Sequence, residues 1–337
     1  MAKVAIMGGG SMGTAYGMVM ADAGCDVMMW AREPSVVEDV NMNHRNEMFH
    51  PGLDLPESLR CTNDPAEAMA DADIVVLAIP SQTLRENLTE WRKHLMEGAL
   101  LVTLMKGIEK GTKLRMSQVL QEVGQVGADQ VAVVSGPNLA REIILRQPAA
   151  TTVACVDEER AIELQKASTT PYFRPYFTTD VVGVEIGGAV KNVIALANGM
   201  AVGQGFGENA QAALITRGLA EMIELGVALG ANRLTFLGTS GIGDLIATCS
   251  SSLSRNRTFG ENLGKGLTVA ETEAVTKQTC EGVKSAKPIL EMGQDAGVEM
   301  PITEQVVSVV HDGMAPEKML KHLMSRPTRE EQGQDSR

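Results

Sequence analysis

KVAIMGGGSMG, residues 3–13, sets a short apolar segment directly against a glycine-rich turn. Residues 3–7 read as a buried strand, and a helical stretch with no proline runs from the turn to about Gly24. A second strand is expected at 26–30. Strand, glycine turn, helix and strand form the context in which glycines at 8, 10 and 13 mark a dinucleotide site. Gly8 permits the tight turn, Gly10 lets backbone amides approach a pyrophosphate, and Gly13 lets the helix pack close. The helix N-terminus then faces the phosphates. A ligand-free glycine turn is the plainer alternative, and the flanking strand and helix weigh against it.

Further strand–helix units follow at 74–79 before Pro80, at 100–104 before Lys106, and at 131–134 before Ser135, Gly136, Pro137 and Asn138. Buried strands alternating with helices predict an α/β, mostly parallel, doubly wound sheet. Ligands gather outside the strand C-termini of such sheets, where Pro80, Lys106 and Gly136 fall. Lys106 is therefore a candidate cation at the cofactor crevice, or else a loop lysine in solvent. Past the second strand, Arg32 suits a 2′-phosphate or stacking on adenine, so NADPH is allowed. Glu33 keeps NADH possible.

The pattern weakens over 148–179 into short strands and a helix. Helical periodicity then takes over at 184–231, 268–295 and 301–324. The expected organisation is a Rossmann domain over 1–180, an all-α domain over 181–325 and a disordered tail over 326–337.

Within VVGVEIGGAVKNVIALANGM, residues 181–200, Lys191 lies among small and apolar neighbours, with Glu185 the only other charge. Such an ammonium either snorkels to water or has a chemical role. Asn192 beside it and Gly187 and Gly188 before it favour the second reading. Residues 238–257, GTSGIGDLIATCSSSLSRNR, combine a glycine turn at 241 and 243, a lone Asp244, and a hydroxyl-rich run ending in Arg255, Asn256 and Arg257. Arginine, hydroxyls and amides on a turn suit a phosphate dianion. The alternative is a capped helix start with solvated arginines. Asp244 orients a lysine or a substrate hydroxyl, or only caps a helix.

Composition narrows the class. The chain has 337 residues, 44% of them apolar, enough for a large core and about two domains. A net charge of −12 argues against nucleic acid and acidic membranes as partners. The five cysteines are scattered singly, which fits reduced thiols in a cytoplasmic protein. No histidine or cysteine pair has zinc-ligand spacing, so metal-independent chemistry is expected. No leader pattern opens the chain, and no apolar run is read as approaching the roughly 20 residues of a membrane helix. A dinucleotide site, lysines at its mouth and a phosphate-type pocket together specify hydride transfer on a small phosphorylated carbonyl or alcohol. Lys191 is the residue placed to handle the proton.

The chain resembles the bacterial-type NAD(P)-dependent glycerol-3-phosphate dehydrogenases over nearly its whole length. The motifs that carry the resemblance are GGGSMG at 8–13, KGIE at 106–109, SGPN at 135–138, VEIGGAVKN at 184–192, TRGLAEM at 216–222, GDLIATCSSSLSRNR at 243–257 and EGVKSA at 281–286. The resemblance implies reduction of dihydroxyacetone phosphate to sn-glycerol 3-phosphate with NADPH or NADH, supplying the backbone of membrane phospholipids, by a homodimer. It implies that Lys191 is the general acid/base and that Lys106 polarises the carbonyl and contacts cofactor and substrate. Gly136, Asn138, Asp244, Ser254, Arg255 and Asn256 match substrate positions, with Asn192 and Thr248 as further contacts. Arg255 is the implied phosphate ligand and also lies near the cofactor. Ser11, Met12, Arg32, Ala140, Thr279 and Glu281 match cofactor positions. Met12 stands where an aromatic residue is common, and Asn138 where serine or threonine is usual.

Two rivals remain from the residues alone. A related dehydrogenase of 3-hydroxy acids would also use arginine and asparagine, on a carboxylate. A nicotinamide-sensing module would keep the fold without turnover.

Overall fold

The computed structural model describes residues 1–276 and 280–325. Thr279 and the tail over 326–337 lie outside the described residues. The strands are β1 (Lys3–Met7), β2 (Asp26–Trp30), β3 (Arg60–Thr62), β4 (Ile74–Leu77), β5 (Leu100–Thr103), β6 (Val131–Ser135), β7 (Ala149–Cys155) and β8 (Phe173–Thr178). They form one sheet in the order β3-β2-β1-β4-β5-β6-β7-β8. Every neighbouring pair is parallel except β6 with β7. The expected mostly parallel, doubly wound sheet is what forms. Strand order reverses between β1 and β4, which opens a crevice at their C-terminal ends.

The strands are apolar throughout because both faces are covered. Val4 and Ile6 join one core with the helix after β1, whereas Ala5 and Met7 join another on the opposite face. The helices of this half are α1 (Ser11–Asp22), α2 (Pro34–Asn43), α3 (Pro65–Ala68), α4 (Leu84–Trp91), α5 (Met116–Gly124), α6 (Ala140–Ile144) and α7 (Glu158–Ala167). Two strands stop short of their sequence limits: β4 ends at Leu77 rather than 79, and β5 at Thr103 rather than 104. Pro80 offers no ladder donor and restricts the residue before it, so the chain leaves the sheet there.

Helices follow from α8 (Val181–Gly203) through α9 (Glu208–Ala228), α10 (Asp244–Ser250), α11 (Arg255–Gly264), α12 (Val269–Thr276), α13 (Glu281–Asp295), α14 (Pro301–Val310) and α15 (Pro316–Met324). The periodic stretches 184–231 and 301–324 are therefore each two helices. Gly205 at φ +81° and Gly313 at φ +74° turn the chain where the apolar rhythm alone reads through. The glycine-rich turn at 241 and 243 is a π-type turn over Thr239–Gly243 that runs directly into α10.

The expectation that no apolar run reaches membrane-spanning length needs correction. α8 has 23 residues and a mean hydropathy of 1.3 over its best window, but 94% of that window is buried inside the molecule. A helix apolar on all sides must be covered on all sides, and here other helices of this half and the sheet cover it. The closest crossing is with α11. A Cβ at Gly199 would lie 2.1 Å from the Arg257 carbonyl oxygen, and one at Gly260 would lie 2.2 Å from that of Leu196. Backbone on both sides leaves nothing to yield. Gly199→Ala is expected to cost about 2–3 kcal/mol of stability in urea unfolding. An unchanged midpoint would mean that the crossing tolerates a wider separation.

Candidate active site

Gly8 leaves β1 at φ +139°, and a Cβ there would sit 2.5 Å from the Ala78 carbonyl oxygen. A Cβ at Gly13 would lie 1.8 Å from the Gly8 carbonyl oxygen, whereas one at Gly10 would meet nothing within 4 Å. The tight turn, the close helix packing and the open approach thus fall on the three glycines as expected. Helix α1 begins at Ser11 with Gly10 as its cap, no side chain bonded to its first amides and no acid in its first turn. Uncapped amides under open space fit a pyrophosphate.

The underside of this loop was not legible in the sequence. Asn46 is fully buried and donates to the Gly9 carbonyl at 3.0 Å and to Thr14 Oγ1 at 2.9 Å. His50 Nε2 lies 2.9 Å from the Ser11 carbonyl oxygen and 3.2 Å from its hydroxyl. Burial lowers the His50 pKa, which keeps the ring neutral beneath the turn. Met12 and Ala140 are half-buried against the core under the loop. Arg32, just past β2, has a side chain 82% exposed and among the described residues pairs only with its neighbour Glu33.

Lys106 follows β5, Lys191 lies mid-way along α8, and both reach Asp244, the first residue of α10. Lys106 Nζ is 2.6 Å from Asp244 Oδ2 and donates to the Gly136 carbonyl at 2.9 Å. Lys191 pairs with Asp244 Oδ1 and donates to Thr248 Oγ1 at 2.6 Å. Thr248 stands one helical turn beyond Asp244 on α10, so the two share a face. The lysine side chains are only 19% and 7% exposed, so neither is a solvated lysine. Burial brings the Lys191 pKa down to about 7, with Asp244 opposing the fall and Lys106 adding to it. Of the alternatives left open above for Asp244, pairing with a lysine is present in the structure, with both Lys106 and Lys191.

Around this centre the other sequence candidates divide. Asn192 Nδ2 lies 3.3 Å from the Gly188 carbonyl oxygen and 3.4 Å from that of Lys106, and its Oδ1 accepts from Asn256 Nδ2 at 2.9 Å. Asn256 Oδ1 accepts in turn from the Gly282 amide at 2.9 Å. Ser254 caps α11, its hydroxyl accepting from the Arg257 amide at 3.2 Å. Arg255 opens the same helix, is exposed, and makes no ion pair or hydrogen bond among the described residues. Asn138 Nδ2 donates to Thr151 Oγ1 at 2.8 Å, while its buried Oδ1 has no partner among the described residues, and neither has the Ser135 hydroxyl. Glu281 reaches back to the crevice, accepting from Ser81 Oγ at 2.5 Å.

These features agree with the comparisons. A family model for the NAD-dependent glycerol-3-phosphate dehydrogenase N-terminus matches residues 3–161, and one for the C-terminus matches 180–321. A protein of Streptomyces avermitilis named glycerol-3-phosphate dehydrogenase [NAD(P)+] is 59% identical over 329 residues, covering 98% of each chain. A Thermobifida fusca protein of the same name is 58% identical over 332 residues, covering 98% of this chain and 99% of that one. The crystal structure of glycerol-3-phosphate dehydrogenase from Coxiella burnetii superposes with a TM-score of 0.90 at 33% identity, over 96% of this chain and 99% of that one. A ketopantoate reductase from Ralstonia eutropha, at TM-score 0.58 and 16% identity, shares the fold alone. The chain belongs to the NAD-dependent glycerol-3-phosphate dehydrogenase family.

Proposed function

We propose that the protein reduces dihydroxyacetone phosphate to sn-glycerol 3-phosphate with NADPH or NADH, reversibly. The observation that carries this reading is the convergence of Lys106 and Lys191 on one buried carboxylate, with Lys191 tuned to about 7. The nicotinamide supplies the hydride when bound. Lys106 polarises the substrate carbonyl, and the Lys191 ammonium delivers the proton to its oxygen. Asp244 holds both ammoniums, and Thr248 fixes the Lys191 head. Arg255 takes the substrate phosphate, supported by Ser254 and Asn256 at the start of α11; that it has no other partner among the described residues suits that task. Gly136 and Asn138 form the substrate loop, with the orphaned Asn138 Oδ1 accepting a substrate hydroxyl.

Residues 1–180 serve as the dinucleotide domain and 181–325 as the catalytic domain. The amides of 10–13 hold the pyrophosphate. Arg32 gives up its exposed pair with Glu33 for a 2′-phosphate, an exchange that costs little. Ala140 and Glu281 complete the cofactor mouth. Supply of the phospholipid backbone, a cytoplasmic location and a homodimeric assembly complete the proposal, supported by the family resemblance.

The test is the pH dependence in both directions. Lys191 keeps its proton below about 7 and loses it above. Reduction needs the ammonium, so kcat is expected to fall as pH rises through that value. Oxidation of sn-glycerol 3-phosphate needs the free amine, so kcat is expected to fall as pH drops through it. Limbs of the same sense in both directions would exclude Lys191 as the proton carrier.

A further inference from the structure

Glu185 is the only charged residue besides Lys191 on α8, and it is buried. The chemistry above does not use it. Its carboxylate accepts from the Ser117 amide at 2.7 Å and from Ser117 Oγ at 2.5 Å, and it pairs with Arg115. Those donors stand at the start of α5, where the hairpin that begins at Lys106 ends. The hairpin is closed by an antiparallel bridge between Ile108 and Arg115 and by a 2.9 Å bond from the Glu109 amide to the Leu114 carbonyl. Arg85 braces it from behind, binding both carboxylate oxygens of Glu109 at 2.9 Å. The first foot, Lys106, presents its carbonyl to Asn192 on α8. Glu185 and Asn192 are about two turns apart on one helix, so α8 grips the hairpin at both feet. An apolar pair would join these elements without the desolvation cost of a buried ion pair, so a geometric role is the reason to look for.

We propose that Glu185 is a positioning residue: by clamping the far foot of the 106–117 hairpin to α8, it holds the Lys106 ammonium on Asp244 beside Lys191 and so sets the proton affinity of Lys191. The charged and titratable groups that face Lys191 are Asp244 and the Cys249 thiol from α10 and Lys106 from the end of β5. Among the described residues Arg115 alone forms an ion pair with Glu185. The sign follows from these. Lys106 lowers the Lys191 pKa and Asp244 raises it. Loosening Lys106 removes a repelling charge and leaves Asp244 to Lys191 alone, and both changes raise the pKa.

The inference rests on the proposed function for its catalytic consequence but not for the titration. The test follows the lysine Cε resonances against pH in the full-length protein, with the Lys191 signal assigned by its loss in Lys191→Met. In Glu185→Gln the midpoint is expected to move up from about 7 by on the order of one pH unit. The alkaline limb of reduction moves with it. Should Glu185→Gln not fold, Ser117→Ala removes one donor and shifts the midpoint the same way by less. An unmoved midpoint in a folded variant would overturn the proposal and leave Glu185 a structural ion pair. A moved midpoint in a protein that fails to reduce dihydroxyacetone phosphate would sustain it while sinking the functional reading.

Discussion

Lys191→Met is expected to lower kcat for dihydroxyacetone phosphate reduction by about 10³-fold or more, within the range that removing a general acid produces. Methionine keeps an unbranched stem in this buried stretch of α8 while deleting the ammonium. Asp244 retains Lys106 as its counter-ion, so the fold should hold. The glycine loop and α1 contain none of the altered atoms, so NADPH binding, followed by fluorescence titration, should be unchanged. Relief from burying a charge predicts that the variant is at least as stable as wild type in urea. Retention of more than about a tenth of wild-type turnover would remove Lys191 from the acid role.

Asp244→Asn preserves shape and deletes the shared counter-charge. Two buried ammoniums then face each other, and the support that Asp244 gave to protonated Lys191 is gone. The Lys191 pKa should fall below its present value of about 7, moving the reduction limb to lower pH, opposite in sense to Glu185→Gln. At neutral pH the loss of protonated acid and of Lys106 placement together should cost about 10²-fold or more in kcat. Stability should drop by about 3–5 kcal/mol at low pH, as when one partner of a buried pair is removed. The loss should shrink at high pH, where Lys191 sheds its proton. Urea unfolding across that range and kcat profiles measure both. A reduction limb that stays in place would show that Asp244 does not control the lysine.

The glycine loop was readable because each glycine answers a local demand: φ at Gly8, clearance at Gly10 and helix contact at Gly13. Lys191 and Lys106 stood out for a similar reason, each being a charge in apolar surroundings or at a strand end. Asp244 could be read only as a set of alternatives, since its partners lie 53 and 138 residues away and meet it through the packing of α8, α10 and the sheet. Asn46, His50 and Glu185 escaped as functional parts for the same reason. Their partners sit across the fold, and polar residues with distant partners leave no periodicity to detect. The helix breaks at Gly205 and Gly313 carried a local signal, which the apolar rhythm on either side outweighed. α8 shows the converse limit: its composition would suit a bilayer, and only the helices and sheet around it make it a core helix.

The measurement closest to the centre is nicotinamide oxidation by purified protein offered dihydroxyacetone phosphate beside a 3-oxo acid of similar size, with NADPH and NADH in parallel. Family membership and the hydroxyl-rich run leading to Arg255 predict turnover with the phosphorylated ketone and little with the carboxylate. Turnover confined to the oxo acid would assign Arg255 to a carboxylate and the protein to hydroxy-acid chemistry. Cofactor binding with no turnover of either, in folded protein, would contradict the enzymatic reading itself.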